Sequence, residues 1–299
     1  MKIAILFNCQ HLGLGNAMRA LRPDLIVQSY ELHSFHSAEG QQKLLAQLEG
    51  FDVIIAPGLG ADWGSVSTES LRSKSFKFHT LLGIGFAGYH PDTVYVETPA
   101  GHLQAATGPY HSRIAIAAFL AGLSVEETAD LFNKLVYSRL GYLDAFQQAR
   151  LFLINQFKTI GIDLTRYIDA WAAEGCFMHS LNHPKMRVLC DLAVMACELA
   201  GIEVPDDRTH LEMLPDHLSQ HVQMPVYPEI ASHLGIKGHR MFKTTQDCRN
   251  YQFFPLNTYI ASCFKFYEAG SRNHLLKANG VLDAMEKLGL DCKVSECTA

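Results

Sequence analysis

The sequence lacks several features that would assign it to a common class of protein. Its eight cysteines contain no CxxC pair, so neither a zinc ribbon nor a disulfide framework is indicated. The apolar run at residues 3–7 is too short for a signal peptide or a membrane span. Lys and Arg total 25 against 30 Asp and Glu, and the formal net charge of -5 gives no reason to expect a nucleic-acid partner. We therefore expect a cytoplasmic protein without an integral membrane segment that acts on a small molecule or an uncharged polymer.

The chain has enough apolar sequence for a substantial core. Its 299 residues are 48% hydrophobic, which allows one large core or two modest ones. Fifteen histidines form the one compositional hint of proton-transfer or metal chemistry.

Strand and helix patterns alternate in the first part of the chain. Apolar runs predict strands over Lys2 to Phe7, Leu25 to Val27 and Asp52 to Ala56, and helical spacing predicts helices over Gly13 to Leu21 and Ala38 to Leu48. Such alternation is typical of a parallel sheet covered by helices. We expect an α/β fold with an N-terminal parallel-sheet layer, flavodoxin-like or SGNH-like, and a largely helical remainder.

The rest of the chain is predicted from local signals. We expect a strand near Leu81 to Phe86, a helix from Pro109 to Ala121, and a helix that begins in a capping box of Ser124 and Glu127. Further helices are predicted over Tyr251 to Glu268 and Gly280 to Leu288. The composition shift near residue 206 suggests three parts: an α/β part that bears the nucleophile (1–108), a helical part that completes the site (109–205) and a mostly helical extension (206–299).

Cys9 is the candidate nucleophile. It follows the first strand and precedes a helix, where the positive end of the helix dipole can depress the pKa of a thiol. Its neighbours Asn8 and Gln10, or the backbone N–H groups of the turn, could hold an oxyanion. The alternative is that Cys9 only packs beneath the sheet. Because parallel strands end at one edge of a sheet, we expect the Pro57-Gly58 loop to lie near Cys9 if their strands are neighbours.

Several histidines are candidates for the base. His183 precedes Pro184, and this pair is expected to open a helix with His183 at the N-cap, where the helix dipole keeps an imidazole neutral. His90 and His111 are further candidates, either as loop residues or as substrate contacts. His179 and His183 are four residues apart, but Pro184 argues that the helix starts after them, so we predict no metal site. Arg113 and Lys185 could pair with phosphates at helix N-termini.

Four fragments in this order resemble one family. They are Asn8-Cys9-Gln10, Gly88-Tyr89-His90-Pro91-Asp92, Gly108-Pro109-Tyr110-His111-Ser112 and Leu181-Asn182-His183-Pro184. Together they resemble the WcbI family of polysaccharide-biosynthesis acetyltransferases over roughly residues 1 to 205.

The resemblance implies an activity and a set of roles. It implies binding of coenzyme A or acetyl-coenzyme A, and transfer of an acetyl group to a sugar hydroxyl of a capsule or surface glycan. Cys9 would handle the acyl group, His183 or His90 would be the base, and Gln10 would orient the substrate or hold the oxyanion. The candidates for cofactor binding are Asn8, Gly58, Tyr110, His111, Arg113 and Lys185.

Two other functions remain open at this point. A cysteine directly after the first strand, with a late His-Pro, also suggests the layout of SGNH-type esterases, and hence a thiol-dependent hydrolase. A protein that binds coenzyme A or a glycan without catalysing a reaction is the third reading.

Overall fold

The computed structural model describes residues 1–74, 76–245 and 247–292. The first elements of the chain alternate between strand and helix: β1 (Lys2–Phe7), α1 (His11–Leu21), β2 (Ile26–Glu31), α2 (Ala38–Gln47), β3 (Val53–Ala56), α3 (Thr68–Arg72) and β4 (Lys77–Thr80). Short strands and helices follow: β5 (Thr93–Val94), β6 (Glu97–Thr98), β7 (Gly101–His102), β8 (His111–Ser112), α4 (Arg113–Leu120), α5 (Val125–Asp130) and α6 (Lys134–Arg139).

The second half of the described chain is mostly helical. It contains α7 (Ala145–Lys158), α8 (Thr165–Ala173), α9 (Met186–Leu199), α10 (Pro228–His233), β9 (Met241–Thr245), β10 (Tyr251–Pro255), α11 (Leu256–Glu268), α12 (Arg272–Leu276) and α13 (Val281–Leu288). The parallel sheet and the helical remainder confirm the predicted α/β fold class.

The chain forms two compact units. Unit 1 consists of Met1–Gly85, Leu153–Phe177 and His183–Ser219, and unit 2 consists of Phe86–Phe152, Met178–Asn182 and the described residues from Gln220 onward. Both units are assembled from discontinuous segments, whereas the sequence suggests three consecutive parts. That three-part organisation stays a prediction.

A four-stranded parallel sheet with the order β2-β1-β3-β4 is the framework of unit 1. Ala4 and Leu6 of β1 share a buried cluster with Leu44 of α2, whereas the buried residues of α1, such as Leu14, are outside this cluster. Alternate residues of a strand point to opposite faces, so α1 and α2 cover different faces of the sheet. This arrangement makes the boundary between β1 and β3 the switch point, where open α/β sheets bind ligands.

Several predicted boundaries differ from the structure. The strand expected at Leu81 to Phe86 is wrong, because β4 ends at Thr80. The helix expected from Pro109 begins instead at Arg113, with Ser112 as N-cap. The capping box of Ser124 and Glu127 is confirmed, but the helix expected from Tyr251 begins only at Leu256, after β10.

Unit 2 is organised around a buried carboxylate. Asp92, which is 1% exposed, accepts hydrogen bonds from the hydroxyls of Tyr142 and Tyr227 and from the backbone N–H of Ile114, each at 3.0 Å. Burial, followed by the charge of Asp92, raises the pKa of both tyrosines, so both hydroxyls remain donors. One side chain thus links the start of α4 to two distant segments of the chain.

Candidate functional site

Cys9 lies at the corner between β1 and α1, as the sequence predicts. The corner is held by the Asn8 side chain, whose Oδ1 accepts from the backbone N–H of Gln10 at 3.0 Å, and by the Asn8 carbonyl, which accepts from His11 N at 2.9 Å. Because β1 and β3 are paired, the Pro57-Gly58 loop leaves the same edge of the sheet. Cys9 is partly exposed at this edge.

The pKa of the Cys9 thiol is raised, whereas the sequence suggests a lowered pKa. Burial, followed by the Glu31 carboxylate, raises its pKa from 9.0 to about 12, and the backbone N–H groups of Cys9 and Gln10 only partly oppose this. Glu31 ends β2 and stands in register with Phe7, so the sheet itself brings the carboxylate near the thiol. The prediction of a depressed pKa is wrong, and the thiol is protonated at neutral pH.

No histidine is bonded to this thiol within its own unit. Among the described residues of unit 1, no imidazole nitrogen lies within hydrogen-bonding distance of the Cys9 sulfur. His11 lies two residues along the chain, and burial, its largest influence, lowers its pKa, so its ring is neutral. Sequence reasoning missed both His11 and Glu31. The position of Glu31 at the end of a strand beside β1 was the signal for it.

Gln10 has a positioning role. Its side chain is buried, and its amide pairs with the backbone of Ile84, donating from Nε2 to the carbonyl at 2.8 Å and accepting at Oε1 from the N–H at 3.0 Å. These bonds tie the corner after β1 to the segment after β4. The predicted role of Gln10 toward an oxyanion stays a prediction.

The helix after His183 starts later than expected. α9 begins at Met186 with Lys185 as N-cap, so His183 is not the N-cap and Pro184 is outside the helix. Two contacts explain this start: the backbone N–H of Lys185 donates to Phe177 O at 2.9 Å, and the N–H of Met186 donates to the Asp216 carboxylate at 3.1 Å.

The first turns of α1 and α9 are in direct contact. A Cβ on Gly13 would lie only 2.4 Å from Leu189 Cδ1 and 3.5 Å from Met186 Sδ, so any larger residue would force the Leu189 side chain to shift. The structure therefore brings the segment before α1, with Asn8, Cys9 and Gln10, to the same end of the helix pair as the segment before α9. That second segment contains His183, which is buried, and Lys185.

Two of the remaining candidates in unit 1 are accessible. Gly58 is exposed, and no atom lies within 4 Å of the position of a Cβ there. The Lys185 ammonium has neither a hydrogen bond nor an ion pair with any described residue. A ligand could reach both.

His90 lies in unit 2 and is a buried, neutral imidazole. Its Nε2 donates to the Met224 carbonyl at 3.0 Å, while its buried Nδ1 has no partner among the described residues. Burial lowers its pKa to about 3, an effect to which His179 and His239 add. A group that binds a proton so weakly at neutral pH is a poor general base.

The other unit 2 candidates are engaged in internal contacts. The Tyr110 hydroxyl donates to Asn182 Oδ1 at 2.6 Å. His111 is fully buried, with Nδ1 3.2 Å from the Tyr267 hydroxyl and Nε2 3.0 Å from the Leu103 carbonyl. Arg113 donates to Asn279 O at 3.0 Å. These bonds give each of the three side chains a structural role. Their roles in binding a cofactor stay predictions.

Unit 2 also contains a cavity that sequence reasoning missed. Its volume is about 580 Å³, within the range of ligand pockets. Aromatic side chains, uncharged polar groups and the carboxylate of Asp247 share its lining, among them Gln104, Thr245, Gln252, Phe254, Ser262 and Phe266. The buried Thr245 hydroxyl has no partner in the described chain.

Neither metal sites nor membrane-spanning helices occur in the part of the chain that the structure describes. No three His, Cys, Asp or Glu side chains there form a group that could hold a metal ion. No helix there combines the length and apolar composition needed to cross a bilayer.

Comparison with known proteins gives a family and a fold. A family model described as "Polysaccharide biosynthesis enzyme WcbI" matches residues 2–205. A solved structure described as WcbI, "a novel polysaccharide biosynthesis enzyme", has a TM-score of 0.70 and 15% identity, and the match covers 96% of this chain and 98% of that one. It is the native protein without a disulfide bond between coenzyme A and one of its cysteines. No curated protein matches the sequence. The likeness of fold therefore continues beyond residue 205.

Proposed function

The chain belongs to the WcbI family of polysaccharide biosynthesis enzymes, and from this premise we propose that it is an acetyl-coenzyme A-dependent O-acetyltransferase. The acceptor would be a sugar hydroxyl of a capsular or surface polysaccharide. The position of Cys9 carries the proposal: a partly exposed sulfur stands at the carboxyl edge of a parallel sheet, beside the switch point between β1 and β3.

Coenzyme A is proposed to bind at this edge of unit 1. The structural neighbour is described in terms of a disulfide bond between coenzyme A and one of its cysteines, which supports a thiol next to the cofactor here. Asn8 and Gly58 border the corner, and the free ammonium of Lys185 is suited to a phosphate group. We assign the cofactor contacts to these residues rather than to Tyr110, His111 and Arg113, whose polar groups already bond within unit 2.

The protonation state of Cys9 sets a requirement on the chemistry. Because the thiol is protonated, a neutral imidazole must accept its proton as the sulfur attacks the thioester carbon. The imidazolium would then return the proton to the coenzyme A sulfur as the bond between that sulfur and the acyl carbon breaks. The sugar hydroxyl next attacks the acyl-Cys9 thioester, and its proton returns to the cysteine through the same imidazole. We assign this imidazole to His183, which lies before α9 in the same unit, because His90 binds a proton too weakly. His183 is not bonded to the sulfur in the free protein, so this role requires its ring to reach the sulfur, directly or through one water, when the acyl donor binds.

The cofactor part of the proposal is tested by binding. Acetyl-coenzyme A at ~100 times its Kd should stabilise the folded protein by ~2.7 kcal/mol, measured as a thermal shift. Lys185→Ala should weaken this shift, whereas Lys237→Ala, a lysine of unit 2, should preserve it. Absence of any shift at saturating acetyl-coenzyme A would refute the proposal.

The role of Cys9 is tested by turnover and mass spectrometry. Cys9→Ala should retain the thermal shift but lose release of coenzyme A in the presence of a sugar acceptor, and Cys292→Ala is the matched control. An acetyl group on the Cys9 peptide supports the covalent route. Full activity of Cys9→Ala would contradict any acyl-handling role, and release of product from a simple ester without coenzyme A would favour a hydrolase.

The cavity of unit 2 is the proposed acceptor site. Sugars present both hydroxyls and apolar C–H faces, and the lining offers amide and hydroxyl groups together with the rings of Phe254 and Phe266. Phe266 is 41% exposed, which leaves ring surface for a ligand. Saturation-transfer NMR with uncharged mono- and disaccharides should detect binding that Phe266→Ala removes. Equal signals for the variant and the unaltered protein would exclude this cavity as the sugar site.

A further inference from the structure

A cysteine–histidine pair that the sequence does not single out lies in unit 2. The sulfur of Cys248 is 3.4 Å from Nδ1 of His221 and 3.9 Å from its Nε2. A nucleophile and a base within hydrogen-bonding reach are the usual signature of an activated thiol. Cys248 is also partly exposed, so a reagent can reach it.

The local fold explains how these two residues meet. Gln223 pairs with Lys243 of β9 through two backbone hydrogen bonds of 3.0 and 3.1 Å, so the segment that contains His221 runs beside β9. Cys248 lies in the turn between β9 and β10. A contact between residues 27 positions apart thus follows from the pairing of backbones.

The backbone at Cys248 is strained. It is the one described non-glycine residue with a positive φ, at 59°. This left-handed conformation is unfavourable for a residue with a Cβ, and such strain clusters at functional sites. The turn is held by its neighbours: Asp247 accepts from the backbone N–H of Arg249 at 3.0 Å, and the Tyr251 hydroxyl donates to the Cys248 carbonyl at 3.2 Å.

A cation stands close to the thiol. The Lys243 ammonium lies 4.1 Å from the centroid of the Tyr251 ring, and Cys248 is near enough to influence its electrostatics. The Cys248 thiol therefore has a proton acceptor in contact and an ammonium group nearby, whereas the Cys9 thiol has the carboxylate of Glu31 nearby.

We propose that Cys248 and His221 form a reactive thiol site that undergoes exchange with low-molecular-weight disulfides. The Cys248 sulfur attacks one sulfur of the disulfide as its proton passes to His221. The disulfide bond breaks, a mixed disulfide forms on Cys248, and the departing thiolate takes the proton from the imidazolium. The exchange oxidises the Cys248 thiol to the mixed disulfide and reduces the departing half of the reagent to a thiol, so the electrons balance. Since Asp247, Asn250 and Tyr251 line the cavity of unit 2, the added group would stand beside it.

Glutathione disulfide is the probe that tests the site. The full-length protein is incubated with it, quenched with acid and digested, and the rate of the mass increase is followed for each cysteine peptide. We expect the Cys248 peptide to react first, dithiothreitol to reverse the change, and His221→Asn to slow it by at least ~10-fold, because a positioned base contributes at least that much. Cys248→Ser should remove the modification, whereas Cys9→Ala should leave its rate unchanged.

Two results would overturn the proposal. One is a Cys248 peptide that reacts no faster than the Cys292 peptide in the unaltered protein. The other is an equal rate for a folded His221→Asn variant, with folding checked by circular dichroism. If this variant does not fold, His221→Gln replaces it, and the ranking of peptides in the unaltered protein still decides. The acetyl-coenzyme A site proposed above includes neither residue, so failure of this test is distinguishable from failure of the proposed transferase activity.

Discussion

Replacement of Glu31 by Gln should make the Cys9 thiol more acidic and more reactive. In the folded protein the pKa of this thiol rises from 9.0 to about 12, first through burial and second through the Glu31 carboxylate. At pH 7 a pKa of 12 leaves a thiolate fraction of ~0.00001, against ~0.01 at a pKa of 9, a difference of ~1000-fold. Glu31→Gln removes the charge but leaves the thiol buried, so it should restore only part of this difference in thiolate fraction.

The assay is site-specific alkylation. Iodoacetamide is added at a series of pH values, and the rate for the Cys9 peptide is followed by mass spectrometry. In the unaltered protein this rate should still increase above pH 9, since the thiolate population keeps growing. Glu31→Gln should shift the curve to lower pH and increase the rate at pH 7 several-fold. Glu49→Gln, an exposed carboxylate of the same unit, is the matched control.

The refuting result is equally specific. An alkylation rate for Cys9 that reaches its plateau near pH 7 would show a thiolate at neutral pH. The protonation requirement in the proposed mechanism would then be wrong, and the dipole of α1 would outweigh both burial and Glu31. An unchanged curve for Glu31→Gln would leave burial as the sole cause.

Three further predictions concern unit 2. Asp92→Ala should lower the free energy of unfolding by ~3 kcal/mol or more in urea titrations, because three hydrogen-bond donors lose their acceptor. Asp92→Asn keeps an acceptor oxygen and should lower it less. An equal loss of stability in the two variants would contradict this. His90 has a folded pKa of about 3, against 6.5 in the unfolded chain, so the unfolded chain binds a proton first and the free energy of unfolding falls as the pH decreases from 6.5 toward 3. His90→Gln should reduce the slope of the free energy of unfolding against pH by up to ~1.4 kcal/mol per pH unit. An unchanged slope would refute this. Cys248→Gly should be ~1 kcal/mol more stable than Cys248→Ala in thermal melts, because glycine tolerates the positive φ, and the reverse order would show an unstrained turn.

Local patterns were sufficient for the elements whose stability is local. The apolar run of β1 has the bounds that periodicity predicts, and the capping box at Ser124 starts α5 because its two hydrogen bonds join residues three apart. The corner that presents Cys9 follows from the same kind of information, since a buried strand, a polar turn and a helix are encoded in consecutive residues. The order of four short fragments was sufficient for the family.

The chemistry of the candidate site depended on contacts between distant residues. The start of α9 was misjudged because Asp216, 30 residues later, caps it. Gln10 bonds to Ile84, 74 residues away, which changes its role from a free amide to a structural link. The pairing of Cys248 with His221 likewise requires the hairpin of β9 and β10.

The sequence by itself determined the alternation of strands and helices, the family and the position of Cys9 at a strand–helix corner, because these depend on neighbours along the chain. Only the tertiary structure decided the acidity of that thiol. Burial and the charge of Glu31 act through space, and the pairing of β1 with β2 brings the carboxylate to the sulfur.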